Sequence, residues 1–159
     1  MRIIFHSFLL ISLVFINACT TCERDHKTDD DSVGIAYKFI ENERYNFGFQ
    51  LPTEWTAIDS STNGDGYFIE TGEKDVDIRI YGQPNIIDLF TDHCTSTEEF
   101  VFNDEIQGVI CNIDKSEFYI YRNDTSIQIV LYVKTSEDWM NKNKAKIQFM
   151  AKSMVSIEE

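Results

Sequence analysis

Residues 127–154 read IQIVLYVKTSEDWMNKNKAKIQFMAKSM, and they decide the fold. Ile127 to Val133 is almost unbroken apolar sequence after the turn residues Asn123-Asp124. Such a run predicts a strand buried on both faces, hence a central one. A helix follows at once. Thr135 or Ser136 can cap it, with Asp138 three residues after Thr135 as a capping-box partner. Trp139, Asn143, Ile147, Met150 and Met154 recur at three- and four-residue steps, which makes one apolar stripe. Glu137 and Asp138 sit at the positive end of the helix, and Lys142, Lys144, Lys146 and Lys152 lie toward the negative end. A central strand followed by an amphipathic helix places that helix on one face of a sheet, which is an α+β arrangement.

Working upstream, the chain is a series of alternating segments. Ile35, Tyr37 and Phe39, then Tyr45, Phe47, Phe49 and Leu51, repeat with period two around the polar break 41–44, which predicts a β-hairpin. Pro52 ends it. Trp55 is expected to fold back on the core. Residues 57–66 are turn-rich. Tyr67–Glu70 and Val76–Ile80 read as strands, with Gly82 and Pro84 as breaks. Asn85 to His93 has helical spacing and a capping asparagine, so a short helix is expected there. Strands around Phe100, Val109–Ile113, Phe118–Arg122 and Ile127–Val133 complete a meander. The expectation is an antiparallel sheet of seven or eight strands covered by a long C-terminal helix, with one short additional helix.

The N-terminal stretch carries the address. Arg2 precedes an apolar run from Ile3 to Ile16 that closes with Asn17-Ala18-Cys19, the order of a secretory signal. The run is too short for a membrane-spanning helix, which needs ~20 residues. Ile16-Asn17-Ala18-Cys19 resembles the lipobox of bacterial lipoproteins. That resemblance implies cleavage before Cys19, acylation of its sulfur with diacylglycerol (palmitate-type chains), and attachment to a membrane of the bacterial cell envelope, at the periplasmic face or cell surface. Asp29-Asp30-Asp31 resembles the acidic segments of some surface-exported Bacteroidetes lipoproteins. Thr20 to Ser32 lacks the apolar residues needed to offset ordering. The expected organisation is therefore a signal peptide over 1–18, a lipidated cysteine with an acidic tether over 19–34, and a single α+β domain over 35–159.

The whole chain holds 14 basic and 27 acidic residues, a formal charge of −13. Loss of Arg2 makes the mature chain more acidic still. Such a surface repels phosphate backbones and anionic lipid heads, so no nucleic-acid partner is expected. Four cysteines are present. With Cys19 acylated and Cys22 spare, Cys94 and Cys111 flank a predicted hairpin in an export-permissive compartment, and a disulfide between them is expected. A turn centred on Asn103-Asp104 would place position 111 opposite position 96, two residues from Cys94.

Phe47-Gly48-Phe49-x-Leu51-Pro52-x-x-Trp55, the central meander and the terminal helix ending near Ala151-Lys152-Ser153-Met154 resemble the PsbP-type α/β sandwich over about residues 35 to 156. That group includes photosystem extrinsic subunits, a Ran-binding nuclear import factor and chaperones for secreted bacterial effectors. The resemblance implies a mostly non-enzymatic fold whose functions differ too much to transfer.

Motifs of chemistry are sparse. Cys19-x-x-Cys22 lacks the following histidine of a haem attachment site. Asp59, Ser61, Asn63, Asp65 and Glu70 offer clustered oxygens around Gly64 and Gly66, a weak calcium-loop pattern that is complete in neither register. His93 is the only histidine within the expected domain, and it adjoins Cys94, the one thiol–imidazole candidate for an envelope enzyme. No nucleophile elbow or phosphate-binding glycine loop occurs, so no cofactor is expected. The aromatics Tyr37, Phe39, Phe47, Phe49, Trp55, Tyr67, Phe68 and Tyr119 can line a groove for an apolar partner segment, although most are expected in the core. The function this supports is a lipid-anchored, non-catalytic module for a protein or peptide partner.

Overall fold

The run Ile127–Lys134 forms strand β9, the middle of a seven-stranded antiparallel sheet, with its central residues buried on both faces. The computed structural model describes residues 34–59, 61–85 and 93–157. In chain order the elements are β1 (Tyr37–Asn42), β2 (Phe47–Pro52), β3 (Thr56–Ile58), β4 (Gly66–Glu70), β5 (Asp77–Pro84), β6 (Ser96–Val101), β7 (Gln107–Asn112), β8 (Glu117–Asn123), β9, α1 (Glu137–Lys152) and β10 (Val155–Ser156). The large sheet has the order β3-β4-β5-β9-β8-β7-β6.

The first hairpin corrects the single-sheet expectation. β1 and β2 leave the large sheet and form a second one, β1-β2-β10. The reason lies in β2, where Phe47, Phe49 and Leu51 are fully buried. They pack across the large sheet against Ile78, Ile80, Ile129, Leu131 and Val133 in one continuous core. Helix α1 contributes Ile147, Met150 and Ala151 to that core. It lies beside β2, where the backbone amide of Gln50 donates to Ser153 Oγ at 2.8 Å. The molecule is thus a two-layer sandwich, with the large sheet on one side and the small sheet plus α1 on the other. Among the described residues no helix is long and apolar enough to cross a membrane.

Local chemistry explains the remaining boundaries. Ser136 caps α1 by accepting from the Trp139 amide, so the cap is Ser136 rather than a Thr135–Asp138 box. Trp55 folds back as expected, is nearly fully buried, and stacks on Trp139 at 5.7 Å. Gly82 and Pro84 do not break β5, which runs to Pro84 paired with Ile127. Gly82 is there for close approach: a Cβ would lie 2.6 Å from Tyr45 Cβ. The expected short helix over Asn85–His93 lies, apart from those two end residues, outside the described residues. So do the expected signal, the lipobox-like stretch and the expected tether up to residue 33.

A buried arginine locks one end of the sandwich. Arg122, 3% exposed, donates through Nη1 to Asp104 (2.7 Å) and through Nε and Nη2 to Asp124 (3.0 and 3.2 Å). It also reaches the Met154 carbonyl at 3.2 Å, tying β8 to the segment after α1.

Candidate functional site

Alternation assigns every second residue of the large sheet to the face away from the core. On that face three strands place aromatics in register. Arg79 on β5 stands opposite Tyr132 on β9, which stands opposite Tyr119 on β8. One rung along are Tyr81, Val130 and Tyr121 in the same order. Phe68 on β4 pairs with Arg79 from the other side.

The rings form a continuous platform. Tyr119 lies 4.8 Å from Tyr132 and 5.7 Å from Tyr121, centroid to centroid. The Arg79 guanidinium lies 4.7 Å from the Phe68 ring and 5.6 Å from that of Tyr132. It is fixed by Asp77, to which Nε and Nη2 donate at 2.8 and 2.6 Å. That bond raises the Arg79 pKa above its ordinary value. Tyr132 donates its hydroxyl to Glu117 at 3.0 Å, and Glu117 pairs with Lys134 at 2.8 Å. Burial raises the pKa of Tyr81, Tyr121 and Tyr132, so these phenols stay neutral at physiological pH.

A cavity of about 340 Å³ opens over this platform between Phe68, Arg79, Tyr81, Tyr119 and Tyr132, with Asp65 at its edge. Gly66, on the cavity wall at the start of β4, allows close approach to β5, where a Cβ would sit 2.3 Å from the Ile80 carbonyl oxygen. Flat rings, an immobilised cation and neutral phenols can stack on and hydrogen-bond to a ligand side chain. They supply no nucleophile and no paired acid and base.

The residues singled out from the sequence are dispersed. The Asp59 carboxylate accepts from the Ser61 amide and hydroxyl at 3.2 and 3.1 Å, closing a turn. The Ser61 hydroxyl oxygen accepts from the Asp65 amide at 3.0 Å. The Asn63 carbonyl accepts from Arg44. Gly64 takes a φ of +65°, which suits glycine. Glu70, however, sits at the far end of β4, facing solvent. The five candidate oxygen donors therefore do not converge. Among the described residues no three His, Cys, Asp or Glu side chains gather as a metal set.

His93 is exposed, and Cys94 is bonded to Cys111 with Cα atoms 5.2 Å apart. The expected disulfide is present, and it removes the thiol from any Cys–His pair. The hairpin register differs by one residue from expectation: Cys111 faces Thr97, not Ser96. The turn after β6 contains Glu105 at a φ of +66°, which shifts its centre.

Of the aromatics expected near a groove, Phe47, Phe49 and Trp55 are core residues. Phe68 and Tyr119 lie on the platform. Arg79, Tyr81 and Tyr132 were missed. Their signal was parity: each alternates with residues that enter the core, Ile78, Ile80, Leu131 and Val133.

No protein-family model matches the chain, and no curated protein matches it. Solved structures do. The solution structure of cyanobacterial PsbP (CyanoP) from Synechocystis sp. PCC 6803 superposes with a TM-score of 0.55 at 11% identity, over 77% of this chain and 93% of that one. A crystal structure from Bacteroides thetaiotaomicron VPI-5482 gives 0.48 at 10% identity, over 77% of this chain and 49% of that one. The Ran-binding protein Mog1p of Saccharomyces cerevisiae gives 0.43 at 10%, over 78% and 97%. The similarity to CyanoP shows a PsbP-like fold; at that identity it speaks of the fold alone.

Proposed function

We propose that this protein is a lipid-anchored, non-catalytic binding module of the bacterial envelope, and that the tyrosine face of its large sheet receives a protein or peptide partner. One observation carries the binding half. Phe68, Tyr81, Tyr119 and Tyr132 surround a fixed Arg79 beside an open cavity whose lining is mostly aromatic, with Ser61 and Asp65 at its edge. Tyrosine and arginine are the residues that anchor protein interfaces, because they combine large contact area with hydrogen bonding. The anchoring half is supported by the order Arg2, apolar run, Asn17-Ala18-Cys19. In this reading residues 1–18 are removed, residues 19–34 form the acylated tether, and residues 35–159 make the binding domain.

Site-specific photo-crosslinking in the producing cell tests the binding half. A benzophenone amino acid at position 68 should yield a discrete adduct that Arg79→Ala together with Tyr119→Ser abolishes. The same probe at Glu70, on the same strand but at its far end, should yield none. Equal labelling at both positions would refute the assignment.

Anchoring makes its own prediction. Two or more acyl chains give stable attachment where one is marginal. Cys19→Ser should leave an unprocessed precursor or release a soluble domain, read by fractionation and mass spectrometry. Normal maturation with membrane retention would count against acylation at Cys19.

A further inference from the structure

The last strand of the large sheet, β6, has a neighbour on one side only. Hydrogen-bond parity shows which of its main-chain groups are left over. The Phe102 amide donates to the Ile106 carbonyl at 3.0 Å, in the register that sets Val101 opposite Gln107. Bonded and unbonded pairs alternate along an antiparallel ladder, so Ser96, Glu98 and Phe100 bond to β7, while Thr97, Glu99 and Val101 point their N–H and C=O groups outward. β7 gives the same parity from its other edge. The Ile113 amide donates to Glu117, so odd-numbered residues of β7 serve β8 and even-numbered ones serve β6. Among the described residues the outward row has no partner strand.

A groove runs beside this row on the core side. A cavity of about 360 Å³ lies between the strands β6, β7 and β8 and the helix α1. Phe100, Ile110 and Phe118 form its floor and Met140 and Ile147 its helix wall, and Ile110, Phe118 and Met140 are only half-buried. Its rim is mixed in charge. Glu98 accepts from Asn112 at 2.9 Å, and opposite it stand the exposed Lys144 and Lys115, the latter 3.8 Å from Glu137. That balance selects no ion, and the floor suits an apolar side chain. The other face of β6 differs. Thr97, Glu99 and Val101 project there, on the side of Cys111. Glu99 has no ion-pair partner among the described residues, and Val101 is 53% exposed.

We infer that β6 and α1 form a slot for an extended segment of a separate polypeptide, which adds to β6 as an antiparallel strand, with apolar side chains in the groove and basic ones beside Glu99. Free amides and carbonyls at two-residue spacing are complemented by another extended main chain, and every pairing in this sheet is antiparallel. Residues directly opposite each other on antiparallel strands share a face. Partner residues bonded to Thr97, Glu99 and Val101 therefore carry the side chains that meet Glu99, and the residues between them enter the groove. Lysine suits the first set, because its stem covers Val101 while its ammonium reaches the carboxylate. A second copy of this chain is the poorer occupant, since it brings a further charge of −13 and another Glu98-Glu99 against the same edge. The slot shares no lining residue with the cavity over the tyrosine platform and does not rest on that assignment.

The probe is the peptide acetyl-Lys-Val-Lys-Val-Lys-Val-Lys-amide, added to the isotope-labelled full chain in detergent micelles and followed by NMR. At saturation, hydrogen exchange at the amides of Thr97, Glu99 and Val101 should slow by about tenfold or more, while Glu98 and Phe100, already bonded to β7, change little. N-methylation of the peptide's lysines removes the amides that face β6 and should abolish binding. N-methylation of its valines, whose amides face solvent, should leave binding intact. Glu99→Pro deletes one outward donor without touching the β7 ladder. That variant should keep its melting temperature and bind the peptide about tenfold more weakly. Glutamate in place of the peptide's lysines should also weaken binding about tenfold. No slowing at the three amides, equal sensitivity to the two N-methylation patterns, or a dimer of the free chain joined through these amides would each overturn the inference.

Discussion

Arg122→Ala is expected to destabilise the domain by about 3–5 kcal/mol, among the largest single-residue effects in the molecule. The side chain is 3% exposed and its charge is balanced by Asp104 and Asp124. Truncation would leave two carboxylates facing each other at the end of the core, with the Met154 carbonyl losing its donor. The guanidinium also lies 5.2 Å from the Phe102 ring, so packing is lost with the charge. Urea unfolding of both proteins measures the difference, and a loss below about 1 kcal/mol would show that the cluster contributes no more than a surface pair does. The same cluster sets an acid limit. Hydrogen bonding to Arg122 holds the Asp104 pKa below its ordinary 3.8 in the folded state. A carboxylate with a depressed folded pKa stabilises above its unfolded value, and loses that contribution as pH falls through the folded one. Stability from Asp104 should therefore be complete at neutral pH and decline only below about pH 4. Asp104→Asn should flatten that part of the curve.

Removal of the disulfide by Cys94→Ala with Cys111→Ala should lower stability by about 3 kcal/mol and the midpoint of thermal unfolding by about 10 °C. The two cysteines are 17 residues apart, so their bond closes the loop formed by β6 and its hairpin turn. β6 is an edge strand with five of its six residues exposed, held by pairing to β7 on one side and by Phe100 in the core. Cys111 itself is buried with Tyr121 and Val130, so the bond ties the chain before β6 to the platform side of the sheet. Reduction of the native protein should reproduce the loss. A melting curve unchanged by reductant, with both thiols alkylated in exported protein, would contradict it.

Much of the secondary structure was legible because it depends on local pattern. The alternation of Phe47, Phe49 and Leu51 and the spacing of Ile147, Met150 and Met154 each name a buried face without knowledge of the rest of the chain. What could not be read was which layer each face joins. The first hairpin looks the same in sequence whether it extends the large sheet or crosses it. The choice is made by Val155 pairing with Gly48 and by Ser153 bonding Gln50, contacts that no window contains. Gly82 was misread for a related reason: a glycine kept for Tyr45 to approach is indistinguishable in sequence from one that ends a strand. The platform was partly legible through Phe68 and Tyr119. Tyr132 was hidden inside an apolar run where it looked like core, and its partners Arg79 and Tyr81 become a site only once β5, β9 and β8 lie side by side in register.

The pairing of β10 with β2 also fixes the order in which the protein can be finished. The ribosome delivers β1 and β2 well before the strand that completes their sheet. The bond between Gln50 and Ser153 spans 103 residues of chain. Until Val155 has emerged, the edge of β2 stays open, and Phe47, Phe49 and Leu51 lack the helix residues that close the core around them. Closure of the small sheet therefore waits for β10, and long-range pairing of this kind slows folding. The small sheet is thus assembled from the two ends of the described domain, and the same long-range closure joins those ends in a single late step.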